Sequence, residues 1–346
     1  MTKTPLHDFD ITHIWEDYRP TRLIGLPSLA KLTGVARVFA KLESERPLGN
    51  FKLLGGMVAG LWALARAAGV STPLKLRLRP KRARLLPKLV CASDGNHGLA
   101  VAAAARWAGT TATIHLPVSV SRFRVDRIRS LGGAVVTVDG SYDDAVRQAA
   151  AAAADGQGIL VSDTTTDLND IVVADVMRGY SIITRELAIQ LDEARVRPSH
   201  LFVQAGVGGL AAAMAEGLHM RMRPPGRILV VEPERAACVA RGLEAGQPVS
   251  LTGDLETVAE MLSCGTASAP ALAILQRHHA QSVVVTDDQL RFAVDALRRA
   301  DGPETTASGA AGLAGFLKAA ADAQLHALHG LDSSSDVLLV VTEGPD

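Results

Sequence analysis

The sequence predicts an α/β protein of two domains, built on mostly parallel sheets flanked by helices. Short apolar runs alternate with helix-spaced Ala/Leu/Arg segments through nearly the whole chain, as parallel strands and their crossover helices do. The 346 residues are 48% hydrophobic, enough to bury a substantial core. The apolar runs also outnumber the strands of one ordinary sheet, so two packed domains are expected rather than one. Aromatics make up only 4%. Ala, Leu and Val must therefore build the core, which suits helices packed closely on sheets.

In chain order, buried strands are expected at ARVFAKL (36–42), LLPKLVCA (85–92), TATIHLP (111–117), AVVTVDG (134–140) and GILVSD (158–163). HLFVQAG (200–206), RILVVEP (227–233), QSVVVT (281–286) and DVLLVVTEG (336–344) continue the series. Helical spacing fills 98–108, 122–131, 142–154, 170–191, 207–220 and 288–300. No internal repeat and no linker composition stands out, which points to one domain inserted in another. The expected division is a large domain of residues 1–80 and 182–346, with a smaller α/β domain at 81–181.

Charge and cysteine content exclude several classes. With 36 basic and 36 acidic residues the formal charge is zero, so no global field favours nucleic acid or an anionic membrane. Three widely spaced cysteines, Cys91, Cys238 and Cys264, make neither a disulfide framework nor a zinc site. MTKTPLHDFDITHIW has no apolar leader core, and the Ala-rich stretches are broken by Arg106, Arg147, Gln148 and Asp155. A cytoplasmic protein without metal is the expectation. The run STPLKLRLRPKRARLLPK (71–88) holds Lys75, Arg77, Arg79, Lys81, Arg82, Arg84 and Lys88 without an acid. It reads as a solvated connection, with a docking patch for an acidic partner as the alternative.

Four segments can carry chemistry. In Asn50-Phe51-Lys52-Leu53-Leu54-Gly55-Gly56 a lysine stands among apolar and glycine residues. Lysine is rarely buried unless paired or reacting, although a surface lysine at a helix start fits equally well. VCASDGNHGLAVAAAARWAG (90–109) reads as strand, polar loop and helix. Ser93, Asp94, Gly95, Asn96 and His97 then sit at a helix N-terminus, where backbone N–H groups favour a carboxylate or phosphate; an ordinary helix cap is the alternative. FVQAGVGGLAAAMAEGL (202–218) repeats the pattern, with Ala205, Gly206, Val207, Gly208 and Gly209 in the turn. Ala211 stands where GxGxxG would place its last glycine, and Glu232 stands near the ribose-binding distance, so a dinucleotide stays open. Thr342 ends the last strand, either pointing into a site or merely finishing it.

The order of the lysine block, ASDGNHG, QAGVGG and terminal TEG resembles the fold-type II pyridoxal-phosphate enzymes, the tryptophan synthase β / threonine dehydratase group. Within it the chain is most similar to the diaminopropionate ammonia-lyase branch. YRPTRL (18–23), SYDDAVR (141–147), SDTTTD (162–167), VMRGY (176–180), VVEPERAACVARG (230–242) and EMLSCGTASAPALAIL (260–275) extend the likeness from Tyr18 to the C-terminus. The resemblance implies pyridoxal 5′-phosphate, a small amino-acid substrate and a homodimer. It implies that Lys52 binds the cofactor covalently and returns as acid or base, and that Phe51 lies beside it. Asn96 matches the partner of the cofactor's phenolic oxygen, Ala205 to Gly209 the phosphate cradle, and Thr342 the hydroxyl at the pyridine nitrogen. The loop Ser93 to Gly98 matches the holder of the substrate carboxylate. Asp94 and Asp163 match two carboxylates placed to take the Cα proton, provided that burial raises them toward working pH. A hydroxyl at the pyridine nitrogen, unlike an aspartate, leaves the ring a weaker electron sink, which favours prompt loss of a β-substituent.

The sequence departs from that branch in three places, each expected near the substrate side chain. Ala307 stands where the branch carries a Glu, Thr165-Thr166-Asp167-Leu168 replaces an aromatic, acidic and glycine run, and the lysine block is one residue shorter. The expected activity is α,β-elimination from 2,3-diaminopropionate or a close analogue, giving pyruvate and ammonia. A β-replacement synthase and a non-catalytic binding module keeping the fold are the alternatives.

Overall fold

The computed structural model describes residues 11–14, 18–79 and 85–345. Of the basic run, Lys81, Arg82 and Arg84 lie outside the described residues, as does most of the stretch read above for a leader. In chain order the strands are β1 (Leu23–Gly25), β2 (Arg37–Leu42), β3 (Leu89–Ala92), β4 (Ala112–Pro117) and β5 (Ala134–Val138). β6 (Ile159–Leu160), β7 (His200–Gln204), β8 (Arg227–Pro233), β9 (Gln281–Val285) and β10 (Asp336–Val341) follow. The helices are α1 (Pro27–Thr33), α2 (Lys52–Ala67), α3 (Asn96–Ala108), α4 (Arg122–Ser130), α5 (Tyr142–Ala154) and α6 (Ile171–Glu193). α7 (Gly209–Leu218), α8 (Cys238–Ala245), α9 (Ala269–Arg277), α10 (Asp287–Arg299), α11 (Ala311–Ala321) and α12 (Ala323–His329) complete them.

Contacts divide the chain into two units. One joins Lys52–Ser162 and Ile171–Gly179 to the described part of the first nineteen residues. The other joins Pro20–Phe51, Asp163–Asp170 and Tyr180 onward. The main stretch of the smaller unit therefore begins at Lys52, where the sequence suggested a boundary near residue 81. The reason is α2. Residues Leu53 to Ala65 are all buried, and a Cβ at Gly56 would lie 2.5 Å from that of Ala100 on α3. Two helices this close pack as one body.

The smaller unit's sheet runs β5-β4-β3-β6, with parallel pairing throughout. Successive strands step from β3 outward to β5, and β6 returns to the other side of β3. The order reverses at β3. The larger unit's sheet runs β1-β2-β10-β7-β8-β9, parallel except for the short edge strand β1, which the sequence did not suggest. From β7 the chain steps outward to β9, and β10 returns on β7's other side, so the order reverses between β7 and β10. Such reversals open a crevice at the carboxyl ends of the strands, where α/β folds bind ligands. The larger core joins Phe202, Leu229 and Val231 of the sheet with Leu313 and Phe316 of α11.

Among the described residues, no helix is long and apolar enough to cross a membrane. None of their His, Cys, Asp and Glu side chains gather in threes to hold a metal ion.

Candidate active site

In the smaller unit, the loop after β3 opens at its sheet's reversal point. Ser93 is buried, and its Oγ accepts from the N–H groups of Gly95 and Gly98, both at 2.8 Å. The helix begins at Asn96, so the Gly98 amide is one of its unpaired first-turn donors. Ser93 thus caps the first turn of α3. Gly95 holds φ 133°, and a Cβ there would meet Arg124 Cδ at 2.8 Å; only glycine fits. Because Gly95 and Gly98 spend their N–H groups on Ser93, the substrate-carboxylate expectation rests on Asp94, Asn96 and His97. His97 is buried at 2% exposure, and its Nε2 lies 2.8 Å from the Val161 carbonyl. It is a core histidine, where the sequence allowed a surface one. Lys52 is half-buried and is the first residue of α2. Gly179 of α6 makes room there, since a Cβ would lie 2.4 Å from the Leu54 carbonyl.

In the larger unit, the loop after β7 and the end of β10 flank the reversal point. The Ala205 N–H still belongs to the sheet, donating to Val231 at 3.0 Å. Beyond it, the N–H groups of Gly206, Val207, Gly208 and Gly209 find no acceptor among the described residues. Gly208 holds φ 95°, which turns the chain into α7 and aligns these donors with a helix N-terminus. The Ser268 amide donates to the Val207 carbonyl at 2.9 Å, and the buried Ser268 hydroxyl has no hydrogen-bond partner among the described residues. Donors without acceptors around a glycine turn describe an anion cradle.

Thr342 is 4% exposed and accepts a hydrogen bond at 3.0 Å from Gln204 Nε2. Its carbonyl accepts from the Phe51 amide at 3.1 Å, which ties the residue preceding Lys52 to the end of β10. The Phe51 ring packs on Tyr180 with centroids 5.0 Å apart. Asp163, also in this unit, is 3% exposed.

Glu232 is fully buried, and its two oxygens take the Val239 and Ala240 amides at 2.7 Å each. It caps α8 and is not available to a ribose, which removes the support for a dinucleotide. Burial pushes its carboxyl up to about 8, against the two amides that favour the charged form. Of the departures noted above, Ala307 packs against the larger apolar core. The Thr165 carbonyl accepts from Ala269 at the start of α9, and its hydroxyl accepts from Asp167. These groups are committed to local structure.

Sequence reading missed a buried ionic cluster. Glu186 Oε2 lies 2.5 Å from Lys41 Nζ and 2.7 Å from Arg46, and Arg46 also pairs with Glu43 at 2.8 Å. The Lys41 amine and Glu43 reach Thr21 as well, each at 2.7 Å. Thr21 of YRPTRL and residues 41–46 thus meet in one network, whose Arg46 carbonyl accepts from Gly49 just ahead of Asn50-Phe51.

A family model described as pyridoxal-phosphate dependent enzyme matches residues 14–343. The diaminopropionate ammonia-lyase of Escherichia coli strain K12 is 31% identical, over 94% of this chain and 85% of that protein. The L-serine dehydratase/L-threonine deaminase of Homo sapiens is 28% identical over 78% of this chain and 73% of its own. The crystal structure of the Escherichia coli diaminopropionate ammonia-lyase in complex with D-serine superposes with a TM-score of 0.86 at 29% identity, covering 96% of this chain and 86% of that one.

Proposed function

This chain belongs to the pyridoxal-phosphate dependent enzyme family, and on that premise we propose that it eliminates ammonia from 2,3-diaminopropionate or a close analogue. With one water taken up, diaminopropionate balances to pyruvate and two molecules of ammonia. One observation carries the proposal. The glycine loop after β7 and the Thr342 hydroxyl after β10 stand on neighbouring strands at a topological reversal, in a chain 31% identical to such a lyase over 94% of its length.

The residues present fit the cofactor. A phosphate would accept from the Gly206 to Gly209 amides, and the unpartnered Ser268 hydroxyl adds a donor beside them. A side chain at Gly208 would be strained at φ 95° and would meet Val239 at 3.3 Å. Thr342 would face the ring nitrogen, Asn96 the phenolic oxygen, and the Lys52 amine would hold the aldehyde carbon. When bound, pyridoxal phosphate supplies an electron-withdrawing ring that acidifies the Cα–H of the amino acid joined to it.

The chain's own groups then divide the remaining tasks. Thr342 offers a neutral hydroxyl where an aspartate would keep a proton on the ring. Asp94 and Asp163 each take a Cα proton, one for each enantiomer, and Lys52 moves a proton to or from the leaving group. The loop from Asp94 to His97 orients the substrate carboxylate. The enzyme works in the cytoplasm as a homodimer.

The test is a panel of β-substituted alanines of both hands: diaminopropionate, serine, threonine and β-chloroalanine. Products are identified by mass and ammonia is counted. The expected result is pyruvate with two equivalents of ammonia from diaminopropionate, unchanged by added thiols or amines. New amino acids formed from those nucleophiles would instead establish replacement chemistry.

A further inference from the structure

Gln204 is the last residue of β7 and is 3% exposed. The backbone ladder from β7 to β10 ends at Phe202 and Leu339. The Gln204 side chain then carries the connection toward the carboxyl end. Its Nε2 lies 3.0 Å from the Ser308 carbonyl, 3.0 Å from that of Gly309, 3.2 Å from that of Val340 and 3.0 Å from Thr342 Oγ1.

This environment sets the amide's orientation. With nitrogen and oxygen exchanged, the oxygen would face three carbonyl oxygens, so the donor must lie on this side. Oε1 instead lies toward Gly312 in the first turn of α11, where a Cβ would come within 3.0 Å of it. There it has no hydrogen-bond partner among the described residues.

An amide nitrogen can only donate. Thr342 Oγ1 therefore accepts from Gln204, and its single proton points elsewhere. The amide's remaining proton is shared among the carbonyls of Ser308, Gly309 and Val340, which crowd around the same nitrogen. The Ser308 carbonyl also accepts from the Ala311 amide at 3.4 Å. Removing the Gln204 amide takes a donor away from this buried group of carbonyls, a loss that costs free energy, and the Thr342 hydroxyl is a donor able to turn toward them.

We propose that Gln204 is a positioning residue that fixes the Thr342 hydroxyl as a hydrogen-bond donor to the pyridine nitrogen of the bound cofactor. It acts by supplying Thr342 with a donor and by placing its second N–H among the carbonyls that would otherwise draw the hydroxyl proton inward. The proposal rests on the placement of Thr342 at that nitrogen given under the proposed function.

The experiment loads the full-length enzyme with pyridoxal phosphate labelled with ¹⁵N in the ring and records the nitrogen chemical shift. Wild type, Thr342→Val, Thr342→Ser and Gln204→Met are compared, with circular dichroism to establish folding. Thr342→Val should move the resonance toward that of a pyridine without a hydrogen bond, and Thr342→Ser should leave it near wild type. Gln204→Met, of similar length but without a donor, should reproduce the Thr342→Val shift although Thr342 is intact. If Gln204→Met does not fold, Gln204→Glu keeps the size and gives the hydroxyl a carboxyl to donate to, with the same shift expected. A resonance that moves in Thr342→Val but stays at wild type in the folded Gln204 variants overturns the role of Gln204 alone. A resonance indifferent to Thr342→Val overturns the placement of Thr342, and the proposal with it.

Discussion

Glu186→Gln tests whether the buried ionic cluster holds the chain that leads to Lys52. Glu186 receives Lys41 at 2.5 Å and two nitrogens of Arg46 at 2.7 and 2.8 Å. Lys41 is 0% exposed and Arg46 3% exposed. The four side chains Lys41, Glu43, Arg46 and Glu186 balance to zero charge. Burial alone would raise Glu186, yet Arg46 and Lys41 outweigh it and hold the carboxyl below its ordinary range. Burial draws the Lys41 amine down, and Glu186 and Glu43 oppose that pull. The pair is ionised because Glu186 also carries Arg46, whose guanidinium does not lose its proton. Glutamine leaves one cation uncompensated in the interior and weakens three charge-assisted bonds. Breaking such a pair costs about 3–5 kcal/mol, roughly two to three and a half orders of magnitude in the unfolding equilibrium. Urea unfolding at neutral pH measures it. Lys41→Met with Glu186→Leu removes one charge of each sign and leaves Arg46 with Glu43, so the double variant should lose much less than the sum of its singles. Because the folded carboxyl is depressed, the wild-type advantage over Glu186→Gln is complete above the ordinary glutamate range and disappears as acid protonates the folded state. A loss below about 1 kcal/mol, or strict additivity in the double variant, would refute the cluster as an anchor.

Other changes have equally definite outcomes. Lys52→Ala should abolish the visible band of bound cofactor, and borohydride reduction of wild type should label Lys52; a label on another lysine removes this assignment. Asp94→Asn and Asp163→Asn should keep the cofactor yet lose Cα deuterium exchange for opposite enantiomers, whereas equal exchange in both would make them structural. Ala307→Glu places a carboxylate against the apolar core and should lower stability by about 1–3 kcal/mol. Unchanged stability with faster diaminopropionate turnover would show that position 307 faces substrate instead. Glu232, raised from 4.5 to about 8, binds its proton more tightly folded than unfolded. Wild type should therefore lose stability relative to Glu232→Gln as pH climbs from 4.5 toward 8, by at most about 1.4 kcal/mol per unit, and level off above. A flat difference across that window would show the carboxyl to be ionised throughout.

The strands are legible because parallel strands buried on both faces spell continuous apolar runs, as LVCA, HLFVQ and DVLLVV do. β1 escapes because its three residues, Leu-Ile-Gly, lie at an edge and pair antiparallel. The boundary at Lys52 is illegible for a different reason. Nothing in KLLGGMVAGLWALARA says which sheet the helix will cover; only the packing of Gly56 on Ala100 decides it. The glycine loops announce themselves because a turn from strand to helix needs φ values that Gly95 and Gly208 alone supply cheaply. Gln204, Glu232 and Glu186 do not. A polar residue in an apolar run looks like a pattern error until its buried partner, distant in sequence, is known.

That contrast explains which parts of the candidate site tolerate change. The proposed anion cradle would be made of backbone amides from Gly206 to Gly209, and the loop at Ser93 is shaped by two more amides closing on one hydroxyl. Amides are present whatever the side chain, so the sequence requirement there falls on the glycines that admit the turn. Discrimination between β-substituents must come from side chains instead, since an amine and a hydroxyl on the same carbon differ by charge and hydrogen-bonding capacity. A chain can therefore keep its glycine loops while Ala307 and Thr165 settle into packing and local hydrogen bonds. A chimera tests this directly. Exchanging residues 165–168 for the matching run of the Escherichia coli diaminopropionate ammonia-lyase should change the ratio of diaminopropionate to serine turnover while leaving cofactor affinity within about twofold, under 0.5 kcal/mol. A loss of cofactor in that chimera, with substrate preference intact, would place the segment in the cradle's support rather than in substrate choice.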